Sequence, residues 1–159
     1  MKKRWQSLAS KISQKEYDDF ESLFLNVPAL ALLHISNNCS ILNDCLEYVR
    51  EKNDGTIVNK NLQDIDCNRF RLKSREYEFI ILSDVFSDCD NKEKFLKSCY
   101  HSLENGAFII IIEKKDKNKE QEILELLDNV EFRVANPIAI FEDYTLVMAK
   151  KLHMWGNGL

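Results

Sequence analysis

Glycine is scarce in this chain, with only four among its 159 residues. They are Gly55, Gly106, Gly156 and Gly158. None lies in the polar turn at residues 36–40, which follows an apolar run and precedes an amphipathic stretch. An α/β domain that binds a nucleotide usually places glycines at such a turn, because the backbone must approach the ligand closely. The chain also lacks the P-loop and G-x-S-x-G patterns, so neither a phosphate-cradling loop nor a nucleophile elbow is predicted.

The cysteines lack the spacing of a metal or disulfide motif. Five are scattered along the chain, at positions 39, 45, 67, 89 and 99, with no C-x-x-C pair. An odd and irregular set argues against both a secreted disulfide framework and structural zinc. His101 and His153 have no carboxylate at ligand spacing, so we predict no metal site. We expect buried or half-buried thiols in a reducing compartment, with Cys39 alone in the turn where a ligand would lie.

Neither sign of charge dominates, and no long apolar segment is present. The 22 Lys and Arg and the 26 Asp and Glu residues are intermixed, which gives a formal net charge of −4. Without a basic patch to attract a phosphate backbone, nucleic acid is not the favoured partner. No segment approaches the roughly 20 apolar residues of a membrane span, and polar residues at positions 6, 7, 10 and 11 interrupt the apolar core that a signal peptide requires. The prediction is a cytoplasmic protein without a membrane partner.

The hydrophobic pattern predicts one α/β domain at residues 29–152, after a helical lead-in at residues 1–28 and before a tail at residues 153–159. Apolar runs predict strands at residues 29–35, 56–58, 78–82, 107–112, 132–135 and 144–149. Amphipathic stretches predict helices between most of them. Such alternation requires parallel pairing through right-handed crossovers, so we predict a doubly wound, mostly parallel sheet with helices on both faces. The last two strands are joined by a short turn and must be antiparallel, which reverses the last strand in the sheet.

Capping residues and core positions refine this prediction. Ser13 and Glu16 have the spacing of a capping box at the start of a lead-in helix. Further caps are expected at Ser40 and Asp90, and a left-handed helix stop at Asn105-Gly106. The charged run at residues 113–120 is expected to be a solvated turn. The positions expected in the core are Leu33, Ile57, Ile80, Ile110 and Leu146.

This order of elements resembles that of the class I S-adenosylmethionine-dependent methyltransferases, from Trp5 to about Lys151. Residues 78–85, Glu-Phe-Ile-Ile-Leu-Ser-Asp-Val, look like the family's fourth strand. Residues 103–108, Leu-Glu-Asn-Gly-Ala-Phe, look like the leader into its fifth strand, and residues 144–151 look like its closing strand. The resemblance implies a Rossmann-like sheet that holds S-adenosylmethionine in a crevice at its carboxyl edge.

The turn after the first strand departs from the family's cofactor motif. The family's acid falls on His34, and its glycines fall on Ser36, Asn38 and Ser40, with Asn37 among them. Asn tolerates a left-handed backbone and Ser is small, so the turn would keep its shape while losing room. The resemblance implies that these residues line the cofactor site.

Further cofactor-site residues are implied by the same resemblance. The family's second acid, which binds the ribose hydroxyls, falls near Asn59, an amide. Asp64 or Asp66 would lie in the adenine-contacting loop, and Ser83 would end the fourth strand at the crevice. Because the turn is crowded and no carboxylate faces the ribose, we expect S-adenosylmethionine to bind poorly or not at all.

His34 and Asp84 are the candidate catalytic pair. A histidine on a buried strand is most often a satisfied core residue, but at the carboxyl edge it would face the ligand crevice. Asp84 would orient a methyl acceptor or act as a base, unless it caps a turn. If the two lie close together, the carboxylate would raise the pKa of the histidine and fix its tautomer.

Three functions remain open from the sequence. The absent glycines favour a non-catalytic domain for assembly or regulation, which would bind a protein partner. The alternatives are an active methyltransferase acting on a small molecule or a protein, and a binder of another nucleotide or metabolite in the crevice. The tail adds an expectation, because Trp155 and Leu159 are unusual in a fraying end. They would dock either on the chain's own sheet edge or against a second protein chain, and a second copy in that place would make a homodimer.

Overall fold

The computed structural model describes residues 12–24, 27–38, 41–115 and 119–152. Within these ranges the α-helices are α1 (Gln14–Glu21), α2 (Asn43–Lys52), α3 (Lys92–Ser102) and α4 (Glu120–Asn129). The strands are β1 (Ala31–Ser36), β2 (Thr56–Asn61), β3 (Tyr77–Ser83), β4 (Leu103–Lys114), β5 (Arg133–Pro137) and β6 (Tyr144–Lys150). Short 3₁₀ turns at Leu62–Asp64 and Phe86–Asp88 follow β2 and β3. None of the helices in these ranges has both the length and the apolar character needed to cross a membrane.

One mixed sheet contains all of these strands, in the order β2-β1-β3-β4-β6-β5. The pairs β1–β2, β1–β3 and β3–β4 are parallel, whereas β6 runs antiparallel to both β4 and β5. The predicted fold, a mostly parallel sheet with a reversed last strand, is therefore confirmed. Because β1, β2, β3 and β4 are parallel, their carboxyl ends meet at one edge of the sheet, where open α/β folds bind ligands.

Helices cover both faces of the sheet, as the alternation predicts. Side chains alternate between the faces along each strand, so Leu33 packs in a core with residues of α3 and α4, while Leu32 packs in a second core with residues of α1 and α2. Four of the five predicted core positions are at most 1% exposed: Leu33, Ile80, Ile110 and Leu146. The fifth, Ile57, is only partly buried because β2 is an edge strand, paired on one side alone.

Of the predicted starts of α1 and α2, the first is confirmed and the second is wrong. The capping box of α1 is confirmed, since Ser13 Oγ accepts from the backbone N–H of Glu16 at 3.2 Å and the Glu16 carboxylate accepts from the Ser13 N–H at 2.8 Å. The prediction that Ser40 caps α2 is wrong, because α2 starts at Asn43 and its cap is Leu42, whose side chain makes no capping bond. Ser40 itself lies outside the described residues, as do Trp5, Cys39 and the tail at 153–159.

The other two helix-end predictions are also corrected. Helix α3 is capped by Asn91 rather than Asp90, because the Asn91 carboxamide is the one that reaches the Lys94 N–H, at 3.2 Å. The predicted stop at Asn105-Gly106 lies inside β4, since α3 ends at Ser102 and passes directly into the strand. Gly106 has a φ of +83°, which favours glycine, and its N–H donates to the Lys151 carbonyl at 2.6 Å. This glycine therefore allows the backbone of β4 to become irregular at the point where its register with β3 shifts.

Candidate functional site

The carboxyl edge of β1 opens into a turn that keeps the conformation expected of a glycine motif. The Asn38 backbone is left-handed, with a φ of +53°, which asparagine tolerates better than most residues. The turn is held against β3 by the Asn37 N–H, which donates to the Ser83 carbonyl at 3.2 Å. Asparagine therefore supplies the backbone shape, but its side chain occupies space that glycine would leave open.

The Asn38 side chain bonds directly to the end of β2. Asn61, the last residue of that strand, donates from Nδ2 to Asn38 Oδ1 at 2.8 Å, and its Oδ1 accepts from the Asn38 N–H at 3.3 Å. The same Asn61 oxygen accepts from the Gln63 N–H at 3.1 Å and so caps the following 3₁₀ turn. These reciprocal bonds connect the turn after β1 with the turn after β2.

Asn37 extends this network in the other direction, toward β3. Its Oδ1 accepts from Gln63 Nε2 at 2.8 Å. Its Nδ2 donates to the Asp88 carboxylate at 2.5 Å and to the Asp84 carbonyl at 3.2 Å. We refer to Asn37, Asn38, Asn61 and Gln63 as the amide bridge. It spans the crevice from the end of β2 to the loop after β3.

Asn61 is a residue of the crevice that the sequence analysis did not single out. The ribose-binding position is predicted near Asn59, and the structure places the Asn59 side chain beside His34, two residues before the end of β2. The predicted strand ended at residue 58, whereas β2 continues to Asn61. The polar run Asn59-Lys60-Asn61 gave no hydrophobic signal, because this edge strand is largely exposed.

His34 lies under the crevice and is only 1% exposed. Its Nε2 lies 2.8 Å from Ser83 Oγ, and its Nδ1 lies 3.3 Å from Asn59 Oδ1. Burial lowers the pKa of His34 to about 4, and hydrogen bonds with Asn59 and Asn43 offset only part of that effect. The imidazole is therefore neutral at pH 7. Since an amide oxygen can only accept, Nδ1 carries the proton and Nε2 accepts from the Ser83 hydroxyl.

The Asp84 side chain lies at the same edge of the sheet and connects β3 to β4. It is 6% exposed and has a left-handed φ of +56°. Its Oδ1 accepts from the Lys114 N–H at 3.1 Å, and its own N–H donates to the Ile112 carbonyl at 2.8 Å, so it joins the end of β3 to β4. No hydrogen bond links its carboxylate to His34. The pKa of His34 moves down, opposite to the direction expected of a histidine paired with a carboxylate.

Glu113, near the end of β4, is a second residue that the sequence reasoning missed. The run at residues 113–120 was expected to be solvated, but Glu113 is fully buried. Its carboxylate accepts from the Phe86 N–H at 2.7 Å and from Ser87 Oγ at 2.9 Å. It thus holds the start of the 3₁₀ turn that carries Asp88, the partner of Asn37. The only signal in the sequence is an acid directly following the most apolar run.

The remaining predicted positions contribute less to the crevice. Ser36 is half-buried at the end of β1, where it pairs with both Asn61 and Ser83. Asp66 is exposed, accepts from the Asn68 N–H at 3.0 Å, and belongs to a local turn rather than the amide bridge. Among the described residues no group of three or more His, Cys, Asp or Glu is arranged to hold a metal ion.

No family model matches this chain, and no curated protein matches it either. Among solved structures it is similar to an S-adenosylmethionine-dependent methyltransferase from Aquifex aeolicus, with a TM-score of 0.72 and 15% identity over 96% of this chain and 99% of that one. A Haemonchus contortus phosphoethanolamine N-methyltransferase bound to S-adenosylhomocysteine matches with a TM-score of 0.66 and 7% identity, over 87% of this chain and 52% of the other.

A third similar structure comes from a Haloferax volcanii complex between a methyltransferase and a methyltransferase activator. It matches with a TM-score of 0.59 and 8% identity, over 87% of this chain and 90% of the other. At these identities the similarity concerns the fold, which is that of the class I S-adenosylmethionine-dependent methyltransferases.

Proposed function

We propose that this chain is a methyltransferase-like domain that does not use S-adenosylmethionine and serves an assembly or regulatory role by binding another protein. The observation that carries the proposal is the amide bridge across the crevice. Its carboxamides bond to each other at the positions where the fold's cofactor would need backbone access and a ribose-binding carboxylate.

The fit of S-adenosylmethionine to these residues is poor for two reasons. Entry of the ribose would break the two bonds between Asn38 and Asn61, each contributing about 0.5 kcal/mol in a partly exposed setting. Once they are broken, Asn61 offers an amide in place of a carboxylate, and a lost charged hydrogen bond costs about 1.5–3 kcal/mol. Together these penalties weaken binding on the order of a hundredfold relative to a site with glycine and a carboxylate.

A protein partner is supported by the surface of the sheet and by one of the solved structures. The two edge strands carry exposed valines: Val58 on β2 is 38% exposed and Val134 on β5 is 63% exposed. Unpaired strand edges are templates for pairing with another chain. The Haloferax volcanii complex is an example of this fold together with a protein activator.

Calorimetry with S-adenosylmethionine and S-adenosylhomocysteine tests the proposal. We expect no saturable heat with either compound at concentrations up to about 1 mM. A dissociation constant at or below about 10 μM would overturn the proposal and restore an active methyltransferase. Binding of a different nucleotide in a thermal-shift screen, blocked by substitutions in the amide bridge, would instead favour a metabolite-binding domain.

Matched variants test whether the amide bridge is the obstacle. The double variant N38G N61D removes the obstructing carboxamide and supplies a carboxylate at the end of β2, so it is expected to bind S-adenosylmethionine at least about tenfold more tightly than the unaltered chain. The control is N59D, which adds the same charge beside His34 and is expected to give no gain. Equal binding by a folded N38G N61D and the unaltered chain would show that the amide bridge is not what excludes the cofactor.

A further inference from the structure

Two cysteines that are far apart in the sequence meet in the fold. Cys67 lies in the loop between the first 3₁₀ turn and β3, and Cys89 directly follows the second 3₁₀ turn. Their Sγ atoms are 2.8 Å apart, although the residues are 22 positions apart in the chain. Both are buried, with exposures of 8% for Cys67 and 3% for Cys89. Contact between two thiols is the starting geometry for a disulfide.

We propose that Cys67 and Cys89 form a modification site that is converted to an intramolecular disulfide by exchange with a low-molecular-weight disulfide such as oxidised glutathione. One protein thiolate attacks the small disulfide, forming a mixed disulfide and releasing one small thiol. The second protein thiolate then attacks the protein sulfur of the mixed disulfide and displaces the other small thiol. Both protons end on the released thiols, so the protein pair is oxidised and the small disulfide is reduced.

The burial and close contact of the two thiols determine the relative rates of the two exchange steps. Burial raises the pKa of the Cys89 thiol to about 12, with a further contribution from the hydrogen bond with Cys67. The resting Cys89 thiol is therefore protonated, so its attack on the small disulfide, which needs a thiolate, is slow. The second step is intramolecular between groups already in contact, which makes it fast and keeps the mixed disulfide from accumulating.

The disulfide would affect the crevice, because each cysteine follows, within four positions, a residue that bonds to Asn37. Cys89 follows Asp88, and Cys67 is four positions after Gln63. Asn37 already joins these two loops through its bonds to Gln63 and Asp88. A disulfide would add a covalent connection between the same loops, so oxidation would fix the mouth of the crevice. This inference does not depend on whether S-adenosylmethionine binds.

The test is thiol counting on the folded full-length chain after incubation with oxidised or reduced glutathione. Acid quenching, unfolding and alkylation with N-ethylmaleimide are followed by intact mass measurement and peptide mapping. The reduced chain is expected to carry five alkylated cysteines. The oxidised chain is expected to carry three, with one cross-linked peptide that joins Cys67 to Cys89. Its melting temperature should rise by roughly 5–10 °C, as expected for closing a loop of this length.

Two of the three remaining cysteines provide matched controls. Variants C67S and C89S should lose both the cross-link and the rise in melting temperature. C99S is a close control because Cys99 lies in the same core cluster as the pair, and C45S lies in the core on the other face; both variants should keep the cross-link. Five alkylated cysteines after oxidation, a stable mixed disulfide with glutathione at Cys67 or Cys89, or a link from Cys67 to any cysteine other than Cys89 would each overturn the proposal. The wild-type measurement decides the matter even if a variant fails to fold.

Discussion

Replacing His34 should remove a defined part of the pH dependence of stability. The pKa of His34 is about 4 in the folded chain, against an ordinary value of 6.5. Below pH 6.5 His34 binds a proton in the unfolded chain but not in the folded chain. The free energy of unfolding therefore falls as the pH drops, and it levels off near pH 4. Between pH 7.5 and pH 5 this one group lowers the free energy of unfolding by about 2 kcal/mol. The physical cause is the loss of solvation around a ring that is 1% exposed.

The assay is urea denaturation of the unaltered chain and H34N at pH 7.5 and at pH 5. Carboxylates and other groups also respond to pH, but they respond in both proteins and cancel in the difference between them. We expect H34N to lose about 2 kcal/mol less than the unaltered chain over this interval. H101N, a histidine substitution at an exposed position of α3, is measured beside it as the control for the substitution itself.

The reasoning about His34 fails if H34N and the unaltered chain lose the same free energy within about 0.5 kcal/mol, the ordinary limit of additivity. It also fails in sign if H34N becomes the more acid-sensitive protein. That result would mean that the folded state binds the imidazolium more tightly than water does, as a nearby carboxylate would make it do.

Two further predictions concern the supports of the crevice and the backbone. E113A should destabilise the chain by about 3–5 kcal/mol in urea denaturation, because it leaves the Phe86 N–H and the Ser87 hydroxyl without the buried side chain that accepts from them. S87A removes only one of these two bonds and should lose about 1–2 kcal/mol. A loss below about 1 kcal/mol for E113A would contradict the assigned role. G106A should lose only about 1–2 kcal/mol from its left-handed backbone, since an added Cβ meets no atom within 4 Å. G55A places a Cβ 2.1 Å from the Leu30 carbonyl oxygen and should lose about 3 kcal/mol or more, so equal melting temperatures for the two glycine variants would refute this ordering.

The fold was predictable from the sequence because buried parallel strands are apolar on both faces. The run at residues 107–112 has that character throughout, and it forms the centre of β4. The prediction failed where burial is weak. Asn59 and Asn61 extend β2 through backbone pairing with β1, a contribution that leaves no hydrophobic pattern. An edge strand predicted from its hydrophobic pattern is therefore shorter than the strand in the structure.

The position of the turn after β1 was predictable, but the hydrogen-bond partners of the residues around it were not. The turn after β1 could be located, since it follows a central strand and must lie at the carboxyl edge. The bonds of His34 to Ser83 and Asn59 join residues 49 and 25 positions apart, and no local pattern specifies such pairs. The contact of Cys67 with Cys89 is of the same kind. It arises because two loops meet beyond the ends of β2 and β3, and neither loop has a periodic sequence.

Asn38 and Asn61, which the proposed function treats as the obstacle to the cofactor, are bonded to each other. A side chain at a glycine position and an amide at an acid position would each weaken a cofactor site on its own. In this chain Asn61 Nδ2 donates to Asn38 Oδ1 at 2.8 Å. Replacing either one alone would leave the other without its partner in a narrowed turn. The proposed function therefore treats the two positions as one unit, which is why its test changes Asn38 and Asn61 together.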